Sequence, residues 1–385
     1  MPRRISGRTW IIPGNKKKMN TKQLILTDYK RDGFLSREDL MKLEEAAGIL
    51  RQGGLVAFPT ETVYGLGGDA LRPEASAKIY AAKGRPSDNP LIVHICRLEQ
   101  LEKVAKRISP EAWKMAETYW PGPLTMVFEK TDLVPEETTG GLNTVAVRFP
   151  SHPAARMLIE RSGTVIAAPS ANLSVRPSTT TAAHCVEDLT GRVDAIVDGG
   201  DCQIGLESTI LDMSGERPQL LRPGAVTAEM IEVTLGFRPE EDAALKGPLA
   251  EGVRPKAPGM KYRHYAPKAR MVLISPKNGG NTAAAILEQI RPEIEKGSKC
   301  AVLCTAECRE DLMKAAPELT GQFVIKETGS RRDVRHAAHV LFELLREMDA
   351  EEIEFIAAEG SRETEIGAAL MNMMKKAAAW QIIDV

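Results

Sequence analysis

Residues 53–95 read GGLVAFPTETVYGLGGDALRPEASAKIYAAKGRPSDNPLIVHI. Leu55 to Phe58 is an apolar run with the length of a buried strand. It ends at Pro59 and passes into Thr60, Glu61 and Thr62, then into a glycine cluster, Gly65, Gly67 and Gly68. Pro73 sits near the first turn of a predicted helix, which stops at Lys83-Gly-Arg-Pro86. Leu91 to Ile95 is a second apolar strand and carries His94. Hydroxyls, glycines, an asparagine, a histidine and two cations thus gather at the ends of two buried strands, where open α/β sheets bind their ligands. Cations flanking a glycine, with hydroxyls nearby, suit a polyanion such as a nucleotide phosphate chain.

Outward from this stretch the chain keeps an α/β rhythm. Ser36 reads as an N-cap, with Glu38 and Asp39 in the first turn of a helix that Gly53 ends. Helices are predicted over 98–107 and 111–119, and strands over 124–128 and 144–149. The second of these strands holds Arg148, and an arginine inside an apolar strand needs a partner. An internal salt bridge and a bidentate clamp for a small carboxylate are equally good readings. A helix over 152–161 leads to a strand over 164–168, which runs into Pro169-Ser-Ala-Asn-Leu-Ser174. Strands are also predicted over 194–198, 208–212 and 219–221, with Gly-Leu-Glu-Ser-Thr at 205–209 and Arg222-Pro-Gly224 closing the domain.

Residues 238–267 are rich in Pro, Gly and charge with little periodicity, which marks a linker. Its end, Lys261-Tyr-Arg-His-Tyr265, is unusual for a tether, and its rings and cations suit the face of a nucleotide. From Arg270 apolar runs alternate with helical stretches, as in a smaller doubly wound α/β sheet. It contains no glycine-rich dinucleotide fingerprint and no P-loop, so no nucleotide site is assigned to it.

The 385 residues suffice for two cores, and 43% hydrophobic with 27% charged residues is ordinary globular composition. No apolar run approaches the roughly 20 residues that span a bilayer. Six cysteines in so long a chain make no disulfide scaffold, and they point to a reducing, cytoplasmic setting. Cys300, Cys304 and Cys308 lack the paired spacing of a zinc site and read as core. Net charge is −1, yet residues 1–31 hold nine Lys/Arg and one acid, Asp28. Without aromatic interleaving this reads as a disordered leader, or as an upstream start ahead of Met19, in preference to an RNA-binding arm or a transit peptide.

No metal-ligand cluster, Ser/His/Asp order, nucleophile elbow or Walker motif is present. The chemistry rests on Lys83, Arg85, Asn89, His94, Arg148, Ser170, Asn172 and Arg222. Cations aimed at oxyanions suit phosphoryl or nucleotidyl transfer, in which positioning and charge stabilisation supply most of the catalysis.

Pro59-Thr-Glu-Thr-Val-Tyr-Gly-Leu-Gly67, Lys83-Gly-Arg-Pro86 with Asn89-Pro-Leu91, and Ser170-Ala-Asn172 together resemble the K-x-R and S-x-N signature of the YrdC-like threonylcarbamoyl-AMP synthases. Pro258-Gly-Met-Lys-Tyr-Arg-His-Tyr-Ala-Pro267 is similar to the joining motif of their long, two-domain form. Met371-Asn-Met-Met-Lys-Lys-Ala377 resembles the closing helix, with Met373 where an arginine is common. The resemblance runs from about Ser36 to the C-terminus and implies four segments: an N-terminal extension, partly disordered, at 1–35; a YrdC-like twisted open sheet at 36–237; a linker closing over the site at 238–267; and a smaller doubly wound, Rossmann-like α/β domain at 268–385.

The implied reaction condenses L-threonine, bicarbonate and ATP, with Mg2+, into threonylcarbamoyl-AMP and pyrophosphate. The product feeds threonylcarbamoylation of the tRNA adenosine beside the anticodon. By the same resemblance Lys83, Arg85 and Asn89 bind ATP phosphates, with Ser170 and Asn172 on the opposite wall. Thr144, Ser178 and Arg222 complete the nucleotide site, and Tyr262 or Tyr265 closes over it. Thr62, His94, Arg148, Ala168 and Ser208 hold threonine, Arg148 taking its carboxylate. No protein side chain is an evident metal ligand, so ATP holds the ion. The implied partner is the downstream tRNA threonylcarbamoyl-transfer machinery; direct RNA binding is compatible but not required. Two other readings stay open: a relative using carbamoyl phosphate, and a non-enzymatic RNA-binding protein.

Overall fold

The computed structural model describes residues 20–247, 255–260, 264–276, 280–319 and 321–385. Among them, twelve strands form one mixed sheet. Its order across the sheet is Lys22–Ile25, Ala195–Asp198, Val56–Phe58, Gly65–Asp69, Ile166–Ala167, Ile92–His94, Thr144–Arg148, Leu124–Lys130, Thr209–Asp212, Gln219–Arg222 and Glu240–Glu241, with Ala105–Lys106 paired to Leu124–Lys130. A second, five-stranded sheet is parallel throughout, in the order Val324–Glu327, Cys300–Cys304, Phe355–Glu359, Arg270–Ser275 and Ile382–Asp384.

The elements follow from local signals. Ser36 caps the helix Arg37–Arg51 in a reciprocal box with Asp39. Pro73 opens the helix Pro73–Lys83, and Gly84, at φ 62°, ends it in the left-handed conformation that glycine adopts without a Cβ clash. Arg85 therefore turns back, its amide donating to the Tyr80 carbonyl at 2.9 Å.

Several expectations are corrected. The glycine cluster is a strand, Gly65–Asp69, antiparallel to Val56–Phe58. Its glycines let the hairpin close on the Phe58 ring: a Cβ on Gly67 would stand 2.8 Å from that ring and 2.9 Å from the Ile166 side chain. The predicted 98–107 helix shrinks to a 3-10 turn, Leu98–Gln100, and one helical turn, Leu101–Val104, because Ala105–Lys106 pairs with Leu124–Lys130. Residues 1–19 of the expected extension lie outside the described residues, but its remainder is not an appendage. Lys22–Ile25 runs parallel to Ala195–Asp198, and Leu24 and Leu26 are buried in the main core.

The linker is also packed where it is described. Glu240–Glu241 adds to the sheet edge, and Ala244, Ala257 and Met260 share a core with Ile92, Val127, Ala146, Ile210 and Leu221. Helices Ala182–Leu189 and Ala228–Leu235 and the closing strand Ile382–Asp384, 8, 8 and 3 residues long, are short elements that the sequence analysis does not anticipate. Cys300, Cys304 and Cys308 are buried in the second domain's core with Val302 and Leu312.

Candidate active site

The site forms where two strand-end loops zip together. Thr60 organises the first: its hydroxyl donates to the Val63 carbonyl at 2.6 Å and accepts from the amides of Thr62 and Val63. Tyr64, Gly65 and Leu66 then pair with the second loop. Ala171 N–H donates to Tyr64 O, Leu66 N–H to Pro169 O, and Gly65 bridges Ser170. Beside them, Ile92–His94 lies parallel to Thr144–Arg148 with His94 opposite Arg148.

Lys83 joins the two signature segments. Its ammonium donates to the carbonyls of Ser170 and Asn172, and Ser174 N–H donates to its own carbonyl at 2.9 Å. Burial, then Arg85, lower its pKa to about 7, against the pull of Glu207 and Asp188. Arg85 is buried too; its guanidinium donates to Asn89 O at 3.3 Å and Pro90 O at 3.1 Å and meets no carboxylate among the described residues. Its pKa is lowered, chiefly by burial. The Asn89 side-chain oxygen is buried without a hydrogen-bond partner among the described residues.

For Arg148 the structure shows the internal salt bridge. Nη2 donates to Glu61 Oε1 at 2.7 Å in a buried ion pair, while its Nε is buried with no partner among the described residues. His94 donates through Nδ1 to Ile92 O at 3.1 Å, and burial followed by the Arg148 charge lowers its pKa to about 3, so it is neutral at physiological pH. Ser208 shares a 2.7 Å hydrogen bond with Thr125, and Thr62 one of 2.9 Å with Thr60.

Arg222 completes a buried cluster that the sequence reading left without a centre, Glu207. That carboxylate accepts from Arg222, from Ser178 Oγ at 2.9 Å and from Tyr265 Oη at 2.5 Å. Burial opposes its ionisation, but Arg222, His264, Tyr265 and Ser178 hold its pKa at about 2. Arg222 also donates to Ser208 O at 2.9 Å. Glu61 and Glu207 each stand next to a hydroxyl in a strand-end loop, and each answers an arginine that needed a buried partner. That need was the available signal, although only tertiary proximity says which acid meets which arginine.

Arg85, His94, Arg148, Ala168, Ser170, Ser208 and Arg222 line one cavity together with Pro258, Gly259 and His264 of the inter-domain segment. Its volume is about 30 Å³, room for a single water. Lys83, Asn172, Thr62 and Ser178 lie directly behind this wall through the hydrogen bonds above. Thr144 stands at the opposite end of the strand that Arg148 ends and does not line the cavity. Tyr265 is buried behind the cavity, at φ 61°, whereas Tyr262 lies outside the described residues.

Comparison with known proteins gives a consistent result. Residues 48–224 match the family described as telomere recombination (Sua5, YciO and YrdC), and residues 226–379 match the threonylcarbamoyl-AMP synthase C-terminal domain. A threonylcarbamoyl-AMP synthase of Pyrococcus abyssi is 45% identical over 345 residues, covering 89% of this chain and 96% of that protein. One of Bacillus subtilis is 41% identical over 345 residues, covering 89% and 94%. The fold is similar to the crystal structure of P. abyssi Sua5 complexed with L-threonine, with a TM-score of 0.82 at 42% identity over 95% of this chain and 99% of that one.

Proposed function

The chain belongs to the Sua5, YciO and YrdC family in its two-domain form, and from this premise we propose how it works. It is a threonylcarbamoyl-AMP synthase, a nucleotidyltransferase acting on ATP and L-threonine. Bicarbonate is the third substrate and pyrophosphate the second product. The observation that carries the reading is the buried pair Lys83 and Arg85, because among the described residues both donate to carbonyls alone. Desolvated cations without counter-charge need an anion, and a phosphate chain supplies one.

Lys83, Arg85 and Asn89 hold the ATP phosphates, with Ser170 and Asn172 opposite and Thr144, Ser178 and Arg222 completing the nucleotide site. Threonine lies against Thr62, His94, Ala168 and Ser208, its carboxylate on Arg148, whose Nε has no hydrogen-bond partner among the described residues. Neutral His94 adds no second positive charge beside Arg148 and so leaves threonine's amine uncrowded. That amine, once deprotonated, attacks CO2 with loss of a proton, or bicarbonate with loss of water, to give the carbamate; a carbamate oxygen then attacks the α-phosphorus and pyrophosphate leaves. Lys83 and Arg85 neutralise the charge that builds on the phosphates. Mg2+ would be held by ATP and would supply further charge neutralisation there, since Glu61 and Glu207 are already engaged by arginines.

A carbamate decomposes in water, so it must react before it escapes. The segment around Pro258, Gly259, His264 and Tyr265 supplies the cover. Ligand sites measure roughly 300–1,000 Å³, so a cavity of about 30 Å³ requires this segment to withdraw before ATP enters and to close again over it. The product serves threonylcarbamoylation of tRNA, passed to the transfer machinery with no need for this chain to bind RNA. A cytoplasmic setting suits six free, buried cysteines. Among the described residues no helix is long and apolar enough to cross a membrane.

The test is pyrophosphate release from MgATP by the purified protein, leaving out threonine and bicarbonate in turn. Release that needs both is expected. Release indifferent to threonine would overturn the acceptor and make carbamoyl phosphate the substrate to try.

A further inference from the structure

The second domain carries no recognisable catalytic motif, yet its longest helix, Val334–Ala350, lies against three loops of the first domain's site. Val63 and Leu206, from the 60–64 and 205–208 loops, are buried in one apolar cluster with Tyr265, Ala338, Leu341, Phe342 and Leu345. Gly205, at φ 77°, approaches so closely that a Cβ there would lie 2.2 Å from the His339 carbonyl oxygen. The third loop, 172–178, is reached by a charge.

That charge is Arg346, whose side chain is 3% exposed. Its Nη2 donates to Pro177 O at 2.7 Å and to Asp188 Oδ2 at 2.8 Å, and its Nε to Ser178 O at 3.4 Å. Asp188 is itself fully buried; it also accepts from Leu173 N–H at 3.0 Å and from Arg176. One guanidinium from the second domain thus grips both the loop and the carboxylate that pins the loop's start.

The loop needs such a grip. Val175, a β-branched residue, sits at φ 79°, a left-handed conformation that persists only where the surroundings impose it. Asn172, at the loop's head, donates through Nδ2 to Leu173 O at 2.7 Å and Arg176 O at 2.9 Å while its own carbonyl receives Lys83. At the loop's tail Ser178 Oγ donates to Glu207. Both ends of the segment that Arg346 holds therefore belong to the proposed phosphate wall, and neither belongs to the threonine side around Arg148 and His94.

We propose that Arg346 is a positioning residue for ATP: the second domain uses it to hold the 172–178 loop in the conformation that presents Asn172 and Ser178, and with them Lys83, to the phosphates. The proposal rests on the synthase reading for the identity of the nucleotide. Lysine in place of Arg346 keeps the charge but loses the planar fork that reaches Pro177, Ser178 and Asp188 together.

The experiment compares the full-length wild type with R346K and R346Q. It measures ATP affinity by equilibrium binding, KM for ATP and for threonine in pyrophosphate release, and the melting temperature. In R346K a tenfold or larger rise in the ATP Kd and KM is expected, with threonine KM within twofold and melting within a few degrees of wild type. R346Q should lose more ATP affinity than R346K, which partly restores it. An ATP Kd within twofold of wild type in both variants would overturn the proposal. So would parallel losses of ATP and threonine affinity that track a fall in melting temperature, the signature of a purely structural residue. If the wild type releases no pyrophosphate with threonine and bicarbonate, the synthase reading fails, and the direct ATP-binding comparison still decides the role of Arg346.

Discussion

The Tyr265 hydroxyl sits 2.5 Å from the Glu207 carboxylate, so the segment joining the two domains is tied to the acid that also holds Arg222 and Ser178. The cover over the site and one wall of the site share an anchor. A hydrogen bond to a charged acceptor contributes roughly 1.5–3 kcal/mol. Tyr265→Phe should therefore shift the cover toward its open position by about tenfold or more. Hydrogen exchange of the amides of Gly259, Met260, His264 and Tyr265 should quicken by that factor, and unchanged exchange would show that the tie does not hold the cover.

Replacing Lys83 separates the two substrates. Lys83→Ala should cut pyrophosphate release by a factor of 100 or more, on the scale of losing one preorganised oxyanion donor. Threonine affinity, measured by calorimetry, should stay within about threefold. A variant with an intact rate would remove Lys83 from the chemistry.

Arg148→Lys acts on the other side. Lysine cannot serve Glu61 and a substrate carboxylate from one planar group, so the threonine KM should rise tenfold or more while ATP affinity is kept. Equal losses for both substrates would mean that the Arg148–Glu61 pair only supports the fold.

Lys83 also predicts a pH dependence. Its pKa is about 7 in the folded protein against 10.5 in an exposed lysine. Between those values the unfolded chain holds a proton that the folded chain lacks, so the stability of the free protein should rise as pH climbs from 7 toward 10. Buried Lys376, also lowered to about 7 by burial, adds in the same sense. Phosphates beside Lys83 would restore its proton. ATP binding at pH 8 should then take up protons, seen by calorimetry in buffers of different ionisation enthalpy, and binding without uptake would place the phosphates elsewhere.

Gly67→Ala tests the hairpin that carries the first site loop. The added methyl meets the Phe58 ring and Ile166 inside a closed strand pair. Overpacking of this kind costs typically about 1–3 kcal/mol, read as a lower denaturant midpoint with unchanged slope. A midpoint equal to wild type would show that the sheet yields there.

What the sequence alone determined is local. Apolar runs of strand length, the Ser36 cap, the Pro73 start and the Gly84 stop depend on neighbouring residues, and all of them stand in the structure. So do the two-sheet architecture and the gathering of Arg85, His94, Arg148, Ser170 and Arg222 at the strand ends. The tertiary structure decided what depends on distance across the chain. The glycine cluster carries no local strand signal, and its place as the strand Gly65–Asp69 is set by pairing with Val56–Phe58 and Ile166–Ala167, where the Phe58 ring fills the space a side chain on Gly67 would need. Arg148 had two readings until Glu61, 87 residues away in sequence, engaged its Nη2 and left Nε without a partner among the described residues. Glu207 became the hub of the site, and Arg346 the second domain's hold on it, through contacts that span up to 169 residues. A buried charge announces that it needs a partner, but the identity of that partner is set by packing, which no short window of sequence contains.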